Sequence, residues 1–315
     1  MNKKSILFYL FSIFFLSNLQ AQKKMITPPY LKKGDTIAIV ATARKNIEDN
    51  LQPAIGWLKN WGLEVVSGNT IGLDRNQLAG TDEERAADFQ TQLDNPNIKA
   101  IWCVRGGYGT VRIIDLLDFT KFKQHPKWIV GFSDVTVLHS HLNTMGFQSI
   151  HGIMPVSVKA TEEAKESLRK AMFGEHLEYT VPCENMNRLG TAKGELVGGN
   201  LSILYSLFGS VSAIDCTDKI LFIEDLDEYL YHIDRMMMNL KRNGKLKGLA
   251  GLIVGSMNDM KDNTIPFGKT AEEIIHDAVA EYSYPVVFGF PAGHIPNNYP
   301  LIFGSEVTLN ITDKM

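Results

Sequence analysis

Residues 127–134 read KWIVGFSD, that is Lys127-Trp128-Ile129-Val130-Gly131 followed at once by Phe132-Ser133-Asp134. A short apolar run that ends in glycine and passes straight into polar residues fits a strand buried on both faces. The stretch after it, Val135 to Met145, reads as a helix. The same unit recurs upstream. Residues 36–43 (TIAIVATA) read as a strand, residues from about Glu48 to Trp61 as a helix closed by Gly62, and Glu64 to Ser67 as a second strand. Thr81-Asp82-Glu83-Glu84 opens a second helix, where Thr81 can cap and Glu84 stands three residues on, as a capping box requires. Residues 100–104 (AIWCV) give a third strand, with a helix expected from about Thr110. This β-α-β-α order predicts an α/β domain built on a parallel sheet with helices on both faces.

Residues 156–190 break the pattern with a charged helix (Thr161 to Met172) and a polar stretch carrying Pro182 and Asn187. They read as a connection between an N-terminal domain of residues 22–155 and a smaller C-terminal α/β domain of residues 191–315. Expected strands in the latter are Ile220 to Ile223, Leu249 to Val254, Pro285 to Phe288 and Glu306 to Asn310. A helix from about Glu228 to Arg242 carries Leu230, Ile233, Met237 and Leu240 as an apolar stripe.

Composition bounds the function. With 315 residues, 44% hydrophobic and 21% charged, the chain has the make-up of a globular protein of about two domains. Its net charge of −3, with no basic tract, lacks the electrostatic footprint of a nucleic-acid binder. The first 21 residues form a separate unit. Lys3 and Lys4 precede an apolar run from Ile6 to Leu16, and the stretch SNLQA ends on the small residue Ala21. That is the pattern of a secretory signal peptide. The alternative is a membrane anchor, for which the run is short. Cleavage near Ala21 predicts a periplasmic or otherwise exported protein with no stable membrane insertion and a net charge of −5 once both lysines are gone. Only Cys103, Cys183 and Cys216 are present, and no structural disulfide is expected.

Four segments carry residues with chemical potential. Ser133 sits between a buried strand and a helix, where its hydroxyl would meet the free N–H groups and positive dipole of the helix start. The match to a G-x-S-x-G nucleophile elbow is partial, because Val135 replaces the last glycine, and helix capping by Ser133 or Asp134 is the alternative. Arg105-Gly106-Gly107-Tyr108-Gly109-Thr110 follows the third strand, and its glycines would let backbone approach a ligand closely. Its spacing fits neither a P-loop nor a dinucleotide fingerprint. In Glu224-Asp225-Leu226-Asp227-Glu228, Glu224 ends an apolar strand, whereas the later acids read as a solvated helix start. Glu228 and His232 are four apart and could share a metal, but no HExxH pattern accompanies them. His294, in Pro291-Ala292-Gly293-His294-Ile295-Pro296, is a candidate base, with His151 as its rival. His139 and His141 face different sides of one helix. A serine nucleophile needs a base, and the base needs an orienting carboxylate.

Seven ordered segments give the chain a resemblance to the LD-carboxypeptidase family, which includes the murein tetrapeptide carboxypeptidases and the microcin C self-immunity hydrolases. They are PPYLKKGDTIAIVATA, RGGYGT, GFSDVT, HG at His151, KGELVGGNLSIL, FIED and AGHIPNN, and the similarity runs from about Pro28 to Asn310. The resemblance implies a flavodoxin-like N-terminal domain, a smaller C-terminal domain and a homodimer. It also implies a triad of Ser133, Glu224 and His294, with oxyanion donors from the backbone N–H of Asp134 and of Gly106 or Gly107. It implies no metal or organic cofactor. The expected activity is release of terminal D-alanine from a peptidoglycan stem peptide through an acyl-enzyme, with Arg105 a candidate for the terminal carboxylate. The alternatives are a microcin-type hydrolase of acyl-nucleotide conjugates and an inactive murein-peptide binding protein.

Overall fold

A computed structural model describes residues 25–46 and 51–313. The proposed signal segment, residues 1–21, and the expected start of the first helix at Glu48 lie outside them. Eleven strands and eight α-helices are defined among the described residues. In the first half these are β1 (Thr36–Val40), α1 (Gln52–Asn60), β2 (Glu64–Ser67), α2 (Asp82–Asp94), β3 (Ile98–Cys103), α3 (Thr120–Gln124), β4 (Trp128–Gly131), α4 (Thr136–Met145), β5 (Ser149–His151) and α5 (Glu162–Phe173). There follow β6 (Gly190–Asn200), α6 (Leu201–Leu207), β7 (Ile220–Leu226), α7 (Leu230–Arg242), β8 (Gly251–Asn258), α8 (Ala271–Ala278), β9 (Val286–Val287), β10 (Leu301–Phe303) and β11 (Glu306–Ile311).

The first sheet has the order β10-β5-β4-β3-β1-β2. Five of its strands run parallel in the doubly wound order 2-1-3-4-5, and β10 adds antiparallel to β5. The second sheet, β11-β6-β7-β8-β9, is parallel except for β11. The apolar runs read as two-sided strands are buried as expected: Trp102, Trp128, Ile129 and Val130 are fully inaccessible. Thr81 caps α2, and Glu84 returns the bond to the Thr81 N–H.

The structure differs from expectation in four places. No single helix follows Thr110. The chain makes two short 3-10 turns, Thr110–Arg112 and Ile114–Leu116, before α3, and the Thr110 N–H is capped by the Asp134 carboxylate (2.9 Å). The connection is not independent. Ala164, Leu168, Ala171 and Met172 of α5 pack into the core on one face of the first sheet. Nor does the C-terminal segment stay in its own domain, since Leu301–Phe303 crosses back to pair with Ser149–His151. Strand β6 runs eleven residues, from Gly190 to Asn200, in a stretch too rich in glycine and charge to read as a strand.

Candidate active site

The site lies where the C-terminal ends of both parallel sheets meet. Strand β4 delivers Gly131-Phe132-Ser133, and Ser133 adopts φ +63°, a left-handed conformation that a non-glycine residue holds only at a cost of about 1–3 kcal/mol. A 3-10 turn, Ser133–Val135, then leads into α4. The strained turn lifts the hydroxyl off the strand line and aims it across to the second sheet. The missing glycine of the elbow pattern is no obstacle, because Val135 packs back on Gly131 instead.

His294 Nε2 lies 3.1 Å from Ser133 Oγ, and His294 Nδ1 lies 2.7 Å from Glu224 Oε2. Three residues drawn from segments far apart in the chain thus form one hydrogen-bonded line. Glu224 is wholly buried. It stands inside β7, not past its end as the apolar run suggested, at a place where β8 holds an extra residue between Val254 and Met257. That irregularity brings Ser256 against the histidine loop, where its Oγ accepts the His294 N–H (3.0 Å). Asn298 Oδ1 accepts the Gly293 N–H (2.9 Å). Gly293, at φ +118°, leaves no room for a side chain: a Cβ there would stand 2.8 Å from Glu224 Oε2. Phe132 packs edge-on against the His294 ring. Ser256 went unmarked in the sequence because an isolated Ser carries no pattern, whereas Phe132 and Asn298 stand in the GFSDVT and AGHIPNN segments without a role that the sequence assigns.

Electrostatics suit the line to proton transfer. Burial alone would push the His294 imidazole down, but the Glu224 carboxylate facing it outweighs burial and holds it above its ordinary value. Asp225 is pushed up to about 7 by burial and by the neighbouring Glu224 charge. Its carboxylate is tied to Asn200 Nδ2 (2.9 Å) and to the Ser202 N–H (2.8 Å), so it supports the β6–β7 junction. His151, the rival base, is the last residue of β5, fully buried among Phe132, Phe222 and Phe303 and held well below its ordinary value by burial. The Ser133 hydroxyl is met by His294 Nε2 instead. His139 is spoken for by Ser149 Oγ and the Gly131 carbonyl, both at 2.8 Å.

The glycine loop lies beside the serine. A Cβ built on Gly106 would stand 3.0 Å from Ser133 Oγ and 3.2 Å from the Asp134 nitrogen. Only a glycine keeps that volume open in front of the hydroxyl. The far end of the loop is fastened. Arg85, buried, donates from Nη1 to the carbonyls of Thr42 (2.7 Å) and Gly109 (2.9 Å), and Thr110 Oγ1 donates to Thr42 Oγ1 (2.9 Å). Asp134 contributes its carboxylate to the same anchor, through Thr110. Arg105 is half-buried, with Nη1 3.3 Å from the Lys45 carbonyl. Glu228 and His232 form a closed pair, Oε2 to Nδ1 at 2.5 Å, and among the described residues no third metal-ligating side chain joins them.

A hydroxyl, an imidazole and a buried carboxylate in this order, with an open volume at a helix start, define a serine hydrolase. The chain matches the LD-carboxypeptidase N-terminal domain over residues 37–152 and the LD-carboxypeptidase C-terminal domain over residues 193–309. It belongs to the LD-carboxypeptidase family and is a carboxypeptidase of the serine type. A probable murein peptide carboxypeptidase of Bacillus subtilis is 35% identical over 299 residues, covering 91% of this chain and 92% of that protein. The crystal structure of muramoyltetrapeptide carboxypeptidase from Oxalobacter formigenes is 30% identical, with a TM-score of 0.77 over 88% of this chain and 95% of its own. Microcin C7 self-immunity protein MccF, in complex with aspartyl sulfamoyl adenosine, shares the fold at 22% identity, with a TM-score of 0.81 over 90% of this chain and 96% of its own.

Proposed function

We propose that this chain is an exported, homodimeric carboxypeptidase that releases terminal D-alanine from murein tetrapeptides, with Ser133, His294 and Glu224 as its catalytic triad. The carrying observation is the continuous line Glu224–His294–Ser133 beside the volume that Gly106 keeps open. Ser133 Oγ attacks the carbonyl carbon of the L-configured residue before the terminal D-alanine. His294 Nε2 takes the hydroxyl proton and returns it to the leaving amine, while Glu224 stabilises the imidazolium. The oxyanion develops toward the Asp134 N–H and the Gly106-Gly107 backbone. Water, activated by the same histidine, releases the acyl group. The murein substrate is carried over from the names of the Bacillus and Oxalobacter relatives. Export is supported by the Lys3 to Ala21 pattern, which gives access to the cell wall.

The test is product analysis on L-Ala-γ-D-Glu-meso-diaminopimelate-D-Ala, the same peptide ending in L-alanine, a pentapeptide ending in D-Ala-D-Ala, and an aminoacyl sulfamoyl nucleoside. Release of D-alanine from the first alone is expected. Equal cleavage of the L- and D-alanine peptides would overturn the specificity, and turnover of the nucleoside alone would reassign the chain to the microcin-type activity.

A further inference from the structure

The glycine loop after β3 and the segment after β1 stand on adjacent strands, at the point where the strand order of the first sheet reverses. In doubly wound sheets that crevice is where ligands bind. Two arginines flank it. The Arg44 side chain lies directly over Gly107, where a Cβ would meet its Cδ at 2.4 Å and its Nε at 2.7 Å, and Gly107 follows Gly106, which borders the Ser133 hydroxyl. Arg105 comes from the other side of the crevice and is held at the Lys45 carbonyl. Among the described residues no carboxylate pairs with either arginine, although most arginines and lysines of the glycine-loop anchor and of α5 do have such partners.

Arg44 is also held in place. Its backbone bridges Leu78, and the flanking bonds Lys45 N–H to Gln77 O (3.1 Å) and Ala79 N–H to Ala43 O (3.0 Å) fix the segment. With its amide oxygen turned to the arginine, Gln77 accepts from Nε (2.9 Å) and Nη2 (3.0 Å). An arginine has five N–H groups. Two go to Gln77, which leaves both Nη1 donors and one on Nη2 as a planar fork directed away from Gln77. That fork matches a carboxylate in bidentate geometry.

We propose that Arg44, oriented by Gln77 and seconded by Arg105, binds the free carboxylate of the residue that leaves, and so makes the enzyme an exopeptidase. The inference rests on the peptidase reading above and names the residue that enforces its C-terminal specificity. A peptide carbonyl at Ser133 places the carboxylate of a single following residue one residue's length along the crevice, over Gly107. A longer peptide would have to carry its chain through the arginine side chain.

The experiment compares the tetrapeptide ending in D-alanine with its C-terminal amide, in the wild type, Arg44→Gln, Arg44→Lys and Gln77→Ala. Loss of a charge-assisted pair predicts that Arg44→Gln lowers kcat/KM on the free acid about 10- to 100-fold, mostly through KM, and leaves the amide unchanged. Arg44→Lys should restore part of the loss, and Gln77→Ala should give a smaller loss of the same kind. Arg44 is exposed, so the variants should melt like the wild type. An equal fall on acid and amide would mean that Arg44 serves the loop's structure and would overturn the proposal, as would unchanged acid preference. A wild type inert toward both peptides would instead overturn the murein reading itself.

Discussion

Gly106→Ala puts one methyl group where the reaction needs none. The added carbon would stand 3.0 Å from Ser133 Oγ and 3.2 Å from the Asp134 nitrogen. An oxyanion bound at an amide must lie about 2.7–3.1 Å from that nitrogen, so the methyl and the oxyanion compete for one volume. Losing one oxyanion donor costs about 10²–10³ in kcat, or about 2.7–4 kcal/mol, and a filled hole should cost at least that. The fold should tolerate the change. Gly106 does not adopt the left-handed backbone of Gly107 and Gly109, and its neighbours need give by only a few tenths of an ångström. Overpacking of this size costs about 1–3 kcal/mol of stability. The assay pairs steady-state kinetics on the D-alanine tetrapeptide with a thermal melt and with the rate of phosphonylation of Ser133 by a fluorophosphonate, whose P=O oxygen uses the same hole. Expected are a folded protein, kcat/KM down by at least about 10²-fold and slowed labelling. A Gly106→Ala enzyme with wild-type kcat/KM would refute the placing of the oxyanion between Ser133 and the glycine loop.

Ser133→Ala and His294→Ala should each lower kcat by about 10⁴–10⁶, and the double variant should be little worse than either, because the residues act as a unit; additive losses would break up the triad. The acid limb of the pH–rate profile reports His294, which accepts a proton only when neutral. Its raised pKa means that activity is lost as pH falls through a value above that of an ordinary imidazole, about 6.5. Glu224→Gln removes the charge responsible, so kcat should fall by about 10²–10⁴ and the remaining acid limb should move to lower pH; a limb that stays in place would assign the titration to another group. N-terminal sequencing of the native protein should begin near Gln22, and an intact Met1 on soluble cytoplasmic enzyme would contradict export.

The first sheet was legible because two-sided strands such as AIWCV and KWIVG have no polar alternation to confuse them with helices. Ser133 was legible for the same reason, since a polar pair directly after a buried strand marks a strand end. Glu224 was legible only as an acid closing an apolar run, and its true position inside β7 depends on an irregular pairing with β8 that no local pattern records. β6 and β10 were not legible. The first carries Gly194, Gly198 and Gly199 for close backbone approach, as at Phe222, whose carbonyl would lie 1.9 Å from a Cβ on Gly198. The second is three residues long and takes its meaning from a partner 150 residues earlier in the chain. His294 and His151 show the limit of pattern: both follow or end apolar segments, and only packing decides that one meets Ser133 while the other is sealed among aromatic rings.

The division of labour between the sheets ties catalysis to their packing. Ser133, Asp134 and the glycine loop belong to the first sheet, whereas Glu224, Ser256 and His294 are set by the second. Neither half holds both a nucleophile and its base. The 3.1 Å contact between them depends on how α4 sits against β6, where Thr136 Oγ1 accepts the Asn200 N–H (3.0 Å) and Gly199 lets the backbone come within reach of Thr136. The same Asn200 holds Asp225, one residue from Glu224. Thr136 lies three residues from Ser133, at the start of the helix that the serine's 3-10 turn leads into. A single short path, Ser133–Thr136–Asn200–Asp225–Glu224, therefore runs behind the triad and sets the separation of nucleophile and carboxylate from the rear, while His294 closes it from the front. β10 adds a second brace by joining the end of the His294 loop to β5, next to the strand that carries Ser133. Packed this way, the two sheets already place serine and histidine within hydrogen-bonding distance of each other.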